Sequence, residues 1–111
     1  MNSIDHWVDG KYEIILQDLQ NDVYDITLGE IGKPETVETI ERFVHKETAI
    51  RVMNVFSRNF ADAIQRGYEL TLSSRNFLHS DGRKVHISNS LEIDFNQEQF
   101  IALLEEGEFV A

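Results

Sequence analysis

Apolar and polar residues alternate along two stretches near the start of the chain. The apolar positions are Tyr12, Ile14, Leu16, Tyr24, Ile26 and Leu28. A period of two is typical of a strand with one buried face. The polar run Asp18–Asp22 separates the stretches, so residues 11–29 predict a β-hairpin. We place Leu16 opposite Tyr24, a register that keeps all six apolar side chains on one face.

The pattern changes to a helical period after a break at residues 29–34. Pro34 suits the first turn of a helix, and Val37, Ile40 and Val44 follow at i, i+3 and i+7. These spacings predict a helix over residues 34–46. A second helix is predicted over 48–66, with Gly67 at its C-terminal end. Its core stripe consists of Ala49, Met53, Phe56, Phe60, Ala63 and Ile64, widened by Val52.

Alternation returns over residues 68–95 and predicts a second, longer hairpin. Asp81-Gly82 is a strong signal for a two-residue turn. That turn places Leu78 opposite Val85, and the same register continues to the far end of both strands. The pairs that follow are Leu72 with Leu91, Leu70 with Ile93, Glu69 with Asp94 and Tyr68 with Phe95.

The last regular element is a helix over residues 96–106. Asn96 and Gln99 form a capping box at its start, and Gly107 ends it. Residues 108–111 are left open between a short edge strand and a loose tail. The predicted order is β-β-α-α-β-β-α. It indicates an α+β fold in which two β-hairpins build an antiparallel sheet and the helices pack on one face.

A single domain is expected over residues 1–111, because no repeat, linker or low-complexity segment interrupts the chain. The predicted core is apolar and draws on every element. It contains Ile14, Leu16, Ile26, Leu28, Val37, Ile40, Val44, Met53, Phe56, Phe60, Leu70, Leu72, Leu91, Ile93, Phe100 and Leu104.

The charge of the chain narrows the choice of partners. The net charge is −10, from 20 acidic and 10 basic residues. Residues 1–41 carry a net −8 and residues 92–111 a net −6, whereas residues 42–91 carry +4. Such a protein repels nucleic acids and anionic membranes and attracts basic partners. The basic middle argues against mimicry of DNA over the whole surface.

Candidate chemistry is sparse. The chain has no cysteine, and its four histidines (His6, His45, His79 and His86) have no metal-binding spacing. His79, Ser80 and Asp81 are adjacent, so their side chains diverge and do not form a catalytic triad. We therefore expect no metal, no cofactor and no catalytic residue. The first residues lack a basic segment followed by an apolar one, so a cytoplasmic protein is expected.

The outer face of the second hairpin is the most informative predicted surface. Its acidic end carries Glu69, Glu92 and Asp94, and His86 lies on the same face. Glu69 opposite Asp94 is a like-charge pair, which costs stability unless a cation or a partner relieves it. These four residues are the predicted binding site for a basic protein.

The tip of the same hairpin suggests self-association. Ser74, Asn76 and Asn89 interrupt the apolar row, which indicates that the tip extends beyond the core. Phe77, Leu78 and Val85 would then be exposed and form a homodimer interface. The alternative is that the last helix or the Phe109-Val110 tail covers the tip.

The sequence favours a protein that works by binding. The leading hypothesis is a small intracellular interaction or inhibitor module, of the immunity, anti-defence or mobile-element accessory type found in bacteria and phages. One alternative is a small-molecule-binding protein or enzyme with a pocket between sheet and helices, using Tyr12, Tyr24, Tyr68 and Trp7 as polar groups. Another is a homodimeric structural protein.

Overall fold

A computed structural model describes residues 2–109 and confirms the α+β class with antiparallel sheets. Two α-helices, one short 3-10 helix and eight strands make up this part of the chain. The elements are β1 (Asn2–Asp9), β2 (Tyr12–Asp18), β3 (Tyr24–Glu30), β4 (Lys33–Phe43), α1 (Lys46–Gln65), β5 (Tyr68–Thr71), β6 (Asn76–His79), β7 (Arg83–His86), the 3-10 helix (Ile87–Leu91), α2 (Gln97–Glu106) and β8 (Glu108–Phe109).

The chain divides into two compact units. The first unit is Met1–Ser57 and contains a four-stranded sheet in the order β1-β2-β3-β4. The second unit is Arg58–Ala111 and contains a four-stranded sheet in the order β5-β6-β7-β8. The boundary falls inside α1, which continues unbroken across it. A single folding domain over 1–111 stays a prediction.

The hairpin of β2 and β3 has the predicted buried face but a different register. All six of its alternating apolar side chains are buried. Leu16 lies opposite Ile26, two positions from the predicted partner Tyr24. The turn is centred on residue 21 rather than residue 20, and Gln20, Asn21 and Asp22 all adopt positive φ there. A shift of two residues keeps every side chain on its face, so the burial pattern was predictable although the pairs were not.

The predicted helix over 34–46 is wrong, because β4 occupies Lys33–Phe43 and pairs with β3. Val37 and Val44 are exposed rather than in the core, and only Ile40 of the predicted stripe is buried. Four of the five residues from Thr36 to Ile40 are β-branched, which favours an extended backbone. That signal was available in the sequence and outweighs the i, i+3, i+7 spacing.

The single long hairpin over 68–95 is also wrong. Instead, β5 pairs with β6 through a turn at residues 72–75, and β6 pairs with β7. The second turn has three residues rather than two, with Gly82 at φ 99°. The odd loop length shifts the register by one, so Phe77 lies opposite Val85 and Leu78 opposite Lys84. A one-residue shift exchanges the faces, and Phe77 is therefore buried.

Of the remaining predictions, both helices are confirmed and three core positions are corrected. The second predicted helix is α1, and the last is α2 with the Asn96–Gln99 capping box in place. Leu72, Leu91 and Ile93 are half-buried, because the strands predicted to carry them end earlier. The backbone of β8 adds a short strand beside β7, whereas Val110 lies outside the described residues.

Candidate functional site

The four predicted partner-binding residues are all exposed, but they do not share one strand face. Glu69 lies on β5 opposite Leu78, so the predicted pair with Asp94 does not exist. His86 ends β7, and its Nδ1 accepts a hydrogen bond from the Ser88 backbone N–H at 3.1 Å. It thereby caps the 3-10 helix, a structural task that the sequence did not indicate.

Glu92 and Asp94 lie together in the loop between the 3-10 helix and α2. The Asp94 backbone N–H donates to the Glu92 carboxylate at 3.3 Å. Three more exposed carboxylates follow on α2. We define the C-terminal acidic segment as residues 92–106, whose acidic side chains are Glu92, Asp94, Glu98, Glu105 and Glu106.

The carboxylates of the C-terminal acidic segment lack countercharges. Residues 92–106 contain no lysine or arginine, and the structure shows no ion pair from any of the five carboxylates to another residue within 2–109. Two of them, Glu105 and Glu106, occupy the last turn of α2, where the partial negative charge of the helix end disfavours further negative charge.

Neighbouring elements hold α2 firmly in place. Arg83 on β7 donates from Nη1 to the carbonyl oxygens of Leu104 at 3.0 Å and Glu105 at 2.7 Å. The buried Tyr68 hydroxyl donates to the same Leu104 carbonyl. At the other end, the Gln97 side-chain amide donates to Asp62 at 3.1 Å. Three of the five carboxylates, those of Glu98, Glu105 and Glu106, are therefore presented from a fixed helix.

Arg83 is itself held by the turn that precedes β7. Asp81 accepts from Arg83 Nε at 2.7 Å and from its backbone N–H at 3.0 Å. These contacts, led by the backbone hydrogen bond, lower the pKa of Asp81 below its ordinary value. His79 Nδ1 lies 3.0 Å from Oδ1 of the same Asp81 carboxylate. The cluster therefore fixes the end of α2.

The residues of the predicted homodimer interface do not form an exposed tip. Phe77 and Val85 are buried and Leu78 is half-buried, so the argument from exposed apolar residues is wrong. Phe77 packs edge-to-face against Phe60, with ring centroids 5.7 Å apart. Self-association through these three residues remains an untested prediction, but it no longer follows from their exposure.

The outer face of the first sheet carries a different kind of surface. Asp25 is buried there and accepts two hydrogen bonds from Arg42, at 2.7 and 2.8 Å. The Arg42 guanidinium holds the pKa of Asp25 below its ordinary value of 3.8. Nearby, Glu30 lies 3.5 Å from Lys11 Nζ and 4.0 Å from Lys33 Nζ. Unlike the acidic segment, this face supplies its own countercharges.

A shallow depression of about 240 Å³ lies on the same outer face. We call it the outer groove. Its floor includes Ile15, Thr27 and Gly29, and its edges include Glu13 and Val37. The remaining lining residues are Gln17, Glu30, Gly32, Lys33 and Pro34.

A larger depression of about 550 Å³ lies where β4 leads into α1. Tyr24 lines it, together with Asp22, Val44 and residues 45–48. Val44 is 63% exposed, so this region is an open surface rather than an enclosed cavity. Tyr12 and Tyr68, two other tyrosines predicted as polar groups of a pocket, are buried, while Trp7 is partly exposed.

Comparison with known proteins gives no assignment: no family model, curated protein or solved structure matches the chain. Within residues 2–109, no helix combines the length and apolar character needed to cross a bilayer. The same residues include no group of three or more His, Asp or Glu side chains placed to hold a metal ion. Any functional assignment must therefore come from the surfaces described above.

Proposed function

We propose that this protein is a small intracellular interaction or inhibitor module that binds a basic protein through its C-terminal acidic segment, without catalysis. The observation that carries the proposal is the set of five exposed carboxylates without an ion-pair partner in the described chain. Glu92 and Asp94 were predicted as binding residues from the sequence. Glu69 and His86 lie outside the C-terminal acidic segment.

Two effects favour binding at this segment: the relief of charge repulsion and the fixed position of α2. Like charges on one short segment repel each other, and those at the end of α2 also oppose the helix dipole. A partner with lysine or arginine side chains relieves both effects on binding. Because Arg83 and Tyr68 fix α2, the helix backbone does not need to be ordered when the partner binds. Long-range attraction to a chain of net −10 also raises the association rate.

The alternative is a small-molecule-binding protein or enzyme, for which the 550 Å³ depression at Tyr24 is the best support. Ligand sites of this size are typically concave and mostly apolar. This one is open and is lined by Asp22, Lys46 and Glu47 as well as Tyr24. Interaction with a protein surface fits such an open, charged depression better.

The test compares two variants of equal charge. The first changes Glu92, Glu98, Glu105 and Glu106 to Gln and Asp94 to Asn. The control makes the same kind of change at five exposed acids of the first unit, Asp5, Asp22, Glu35, Glu41 and Glu47. Each removes five negative charges. Both proteins serve as bait in native lysate at low and high salt, with mass spectrometry of the captured proteins.

The proposal expects the wild type and the control to retain a basic protein at low salt and to lose it at high salt. The acidic-segment variant should fail to retain it while keeping the wild-type circular dichroism spectrum. Equal loss in both variants would mean that net charge alone governs binding. Capture that survives neutralisation of the acidic segment would contradict the proposal.

A further inference from the structure

The outer groove lies in a row of four residues that crosses the first sheet. Val8, Glu13, Gly29 and Val37 occupy successive strands, and the pairing of the strands places Val8 beside Glu13 and Glu13 beside Gly29. Val8 and Val37 are 51% and 50% exposed. A carboxylate therefore stands between two exposed apolar side chains on this face of the sheet.

Val37 of β4 packs directly over Gly29, because Gly29 has no side chain. A Cβ atom at this position would lie 2.7 Å from Val37 Cγ2 and 3.0 Å from Val37 Cα. Any larger residue is thus excluded by β4 itself. Next to Gly29, Thr27 is buried and directs its hydroxyl to the Ile15 carbonyl at 3.4 Å. The floor of the groove offers apolar contact and no unsatisfied polar group.

The acidic residues at the groove have weak partners. Glu13 Oε1 lies 3.0 Å from Nε2 of His6, a side chain that is half exposed. Glu30 is shared between two lysines at 3.5 and 4.0 Å, and both lysine side chains are more than half exposed. Exposed pairs of this kind contribute little stability, so an incoming cation can replace them.

We propose that the outer groove binds one arginine side chain of a protein or peptide partner. The aliphatic part of arginine matches the apolar lining formed by Ile15, Gly29 and Val37. Its planar guanidinium matches the Glu13 carboxylate with two parallel hydrogen bonds, which an ammonium group does not reproduce. At about 240 Å³ the groove has room for one long side chain, and it is smaller than typical ligand pockets.

A second copy of this chain is a poorer occupant. The first unit carries eleven acidic and five basic residues, so two such surfaces would repel each other. An arginine from a basic partner brings the opposite charge. The outer groove is remote in sequence from the C-terminal acidic segment. Binding of arginine in the groove does not require the acidic segment to bind a partner.

The test is an NMR titration of the full ¹⁵N-labelled chain with end-blocked pentapeptides Gly-Gly-X-Gly-Gly. X is arginine, lysine or norleucine, the last providing the apolar stem without charge. The arginine peptide should shift the amide signals of Ile15, Thr27 and Gly29, with a dissociation constant on the order of 1 mM for a single side chain. The lysine and norleucine peptides should bind at least several-fold more weakly.

Two matched variants complete the test. Glu13→Gln should weaken binding of the arginine peptide about tenfold, while Glu35→Gln, an exposed β4 residue outside the groove, should leave it unchanged. The variant with a neutralised C-terminal acidic segment should bind the peptide as the wild type does. Absence of shifts, equal binding of lysine or norleucine, or insensitivity to Glu13→Gln would each overturn the proposal.

Discussion

The first sheet and the C-terminal acidic segment differ in two respects. Several acidic side chains of the first sheet are paired and its unit leaves large apolar side chains exposed, whereas the acidic segment has unpaired carboxylates and buried apolar side chains. On the first sheet, Asp25, Glu13 and Glu30 each have a basic or histidine partner. The same unit holds the large apolar side chains that the described chain leaves exposed, namely Trp7, Val8, Ile31, Val37 and Val44. In the acidic segment the carboxylates are unpaired, while the apolar residues Phe100 and Leu104 are fully buried.

This contrast shows that net charge is a poor guide to which carboxylates are paired. The segment 1–41 has the larger negative charge in the sequence, yet its strands bring lysines and an arginine to several of its acids. The segment 92–106 is shorter, and no cation of the described chain pairs with its carboxylates. Unpaired charge, rather than total charge, indicates the surface that is open to an electrostatic partner.

The largest expected effect comes from comparing a fully buried apolar side chain of the second unit with a half-exposed one of the first. Phe77→Ala removes a fully buried ring that contacts Phe60, and it should lower the free energy of unfolding by ~3–5 kcal/mol. Val37→Ala in the first sheet should change it by less than ~1 kcal/mol, because that side chain is half exposed. Urea denaturation followed by circular dichroism measures both. Similar losses would remove the contrast between the units.

A smaller effect is expected from breaking the ion pair of the first sheet. Arg42→Met leaves the buried Asp25 carboxylate without its cation and should lower the urea midpoint at pH 7. Arg42 lowers the pKa of Asp25, so the pair stabilises the fold at pH values above the ordinary aspartate pKa of 3.8. That contribution disappears as the pH falls through the lowered pKa.

The variant should therefore differ from the wild type at neutral pH and converge with it in acid. Arg51→Met, a change at an exposed arginine of α1, is the matched control and should alter the midpoint little. A difference between Arg42→Met and wild type that persists unchanged at pH 2 would show that the loss is one of packing rather than of charge pairing.

The smallest expected effect concerns the unpaired carboxylates. Glu105→Gln and Glu106→Gln remove negative charge from the C-terminal turn of α2, and each should raise the free energy of unfolding by ~0.3–1 kcal/mol. Glu98→Gln, at the start of the same helix, should act in the opposite direction. Thermal melts at low salt measure both signs. A stabilising effect of Glu98→Gln, or none from the other two, would contradict the helix-dipole argument.

Local signals in the sequence correctly predicted α2 and the buried face of β2 and β3. Asn96, Gln99 and Gly107 defined α2, and alternation defined the buried face of β2 and β3. The errors arose where two local signals compete. Pro34 and an apolar spacing favoured a helix over β4, although the β-branched residues favoured a strand. Asp81-Gly82 was assigned a two-residue turn, and one extra loop residue was enough to move Phe77 from outside to inside.

The candidate sites were only partly accessible from sequence. The excess of acid near Glu92 and Asp94 is visible in the composition, but its lack of partners depends on pairing between distant residues. The outer groove depends on Gly29 lying beside Glu13 and under Val37, which requires the register of three strands. Because the prediction followed Pro34 and the helical spacing rather than the β-branched residues, it did not place Val37 on a strand.

The position of the unit boundary within α1 has a consequence for how the chain could be divided. A fragment ending at Ser57 would carry the first twelve residues of this helix, and one starting at Arg58 would carry the last eight. Helices of such lengths are marginal in water without tertiary support. Genetic recombination at this boundary would sever the helix and leave a stub on each product. Each half would then have a sheet of its own but an incomplete helix.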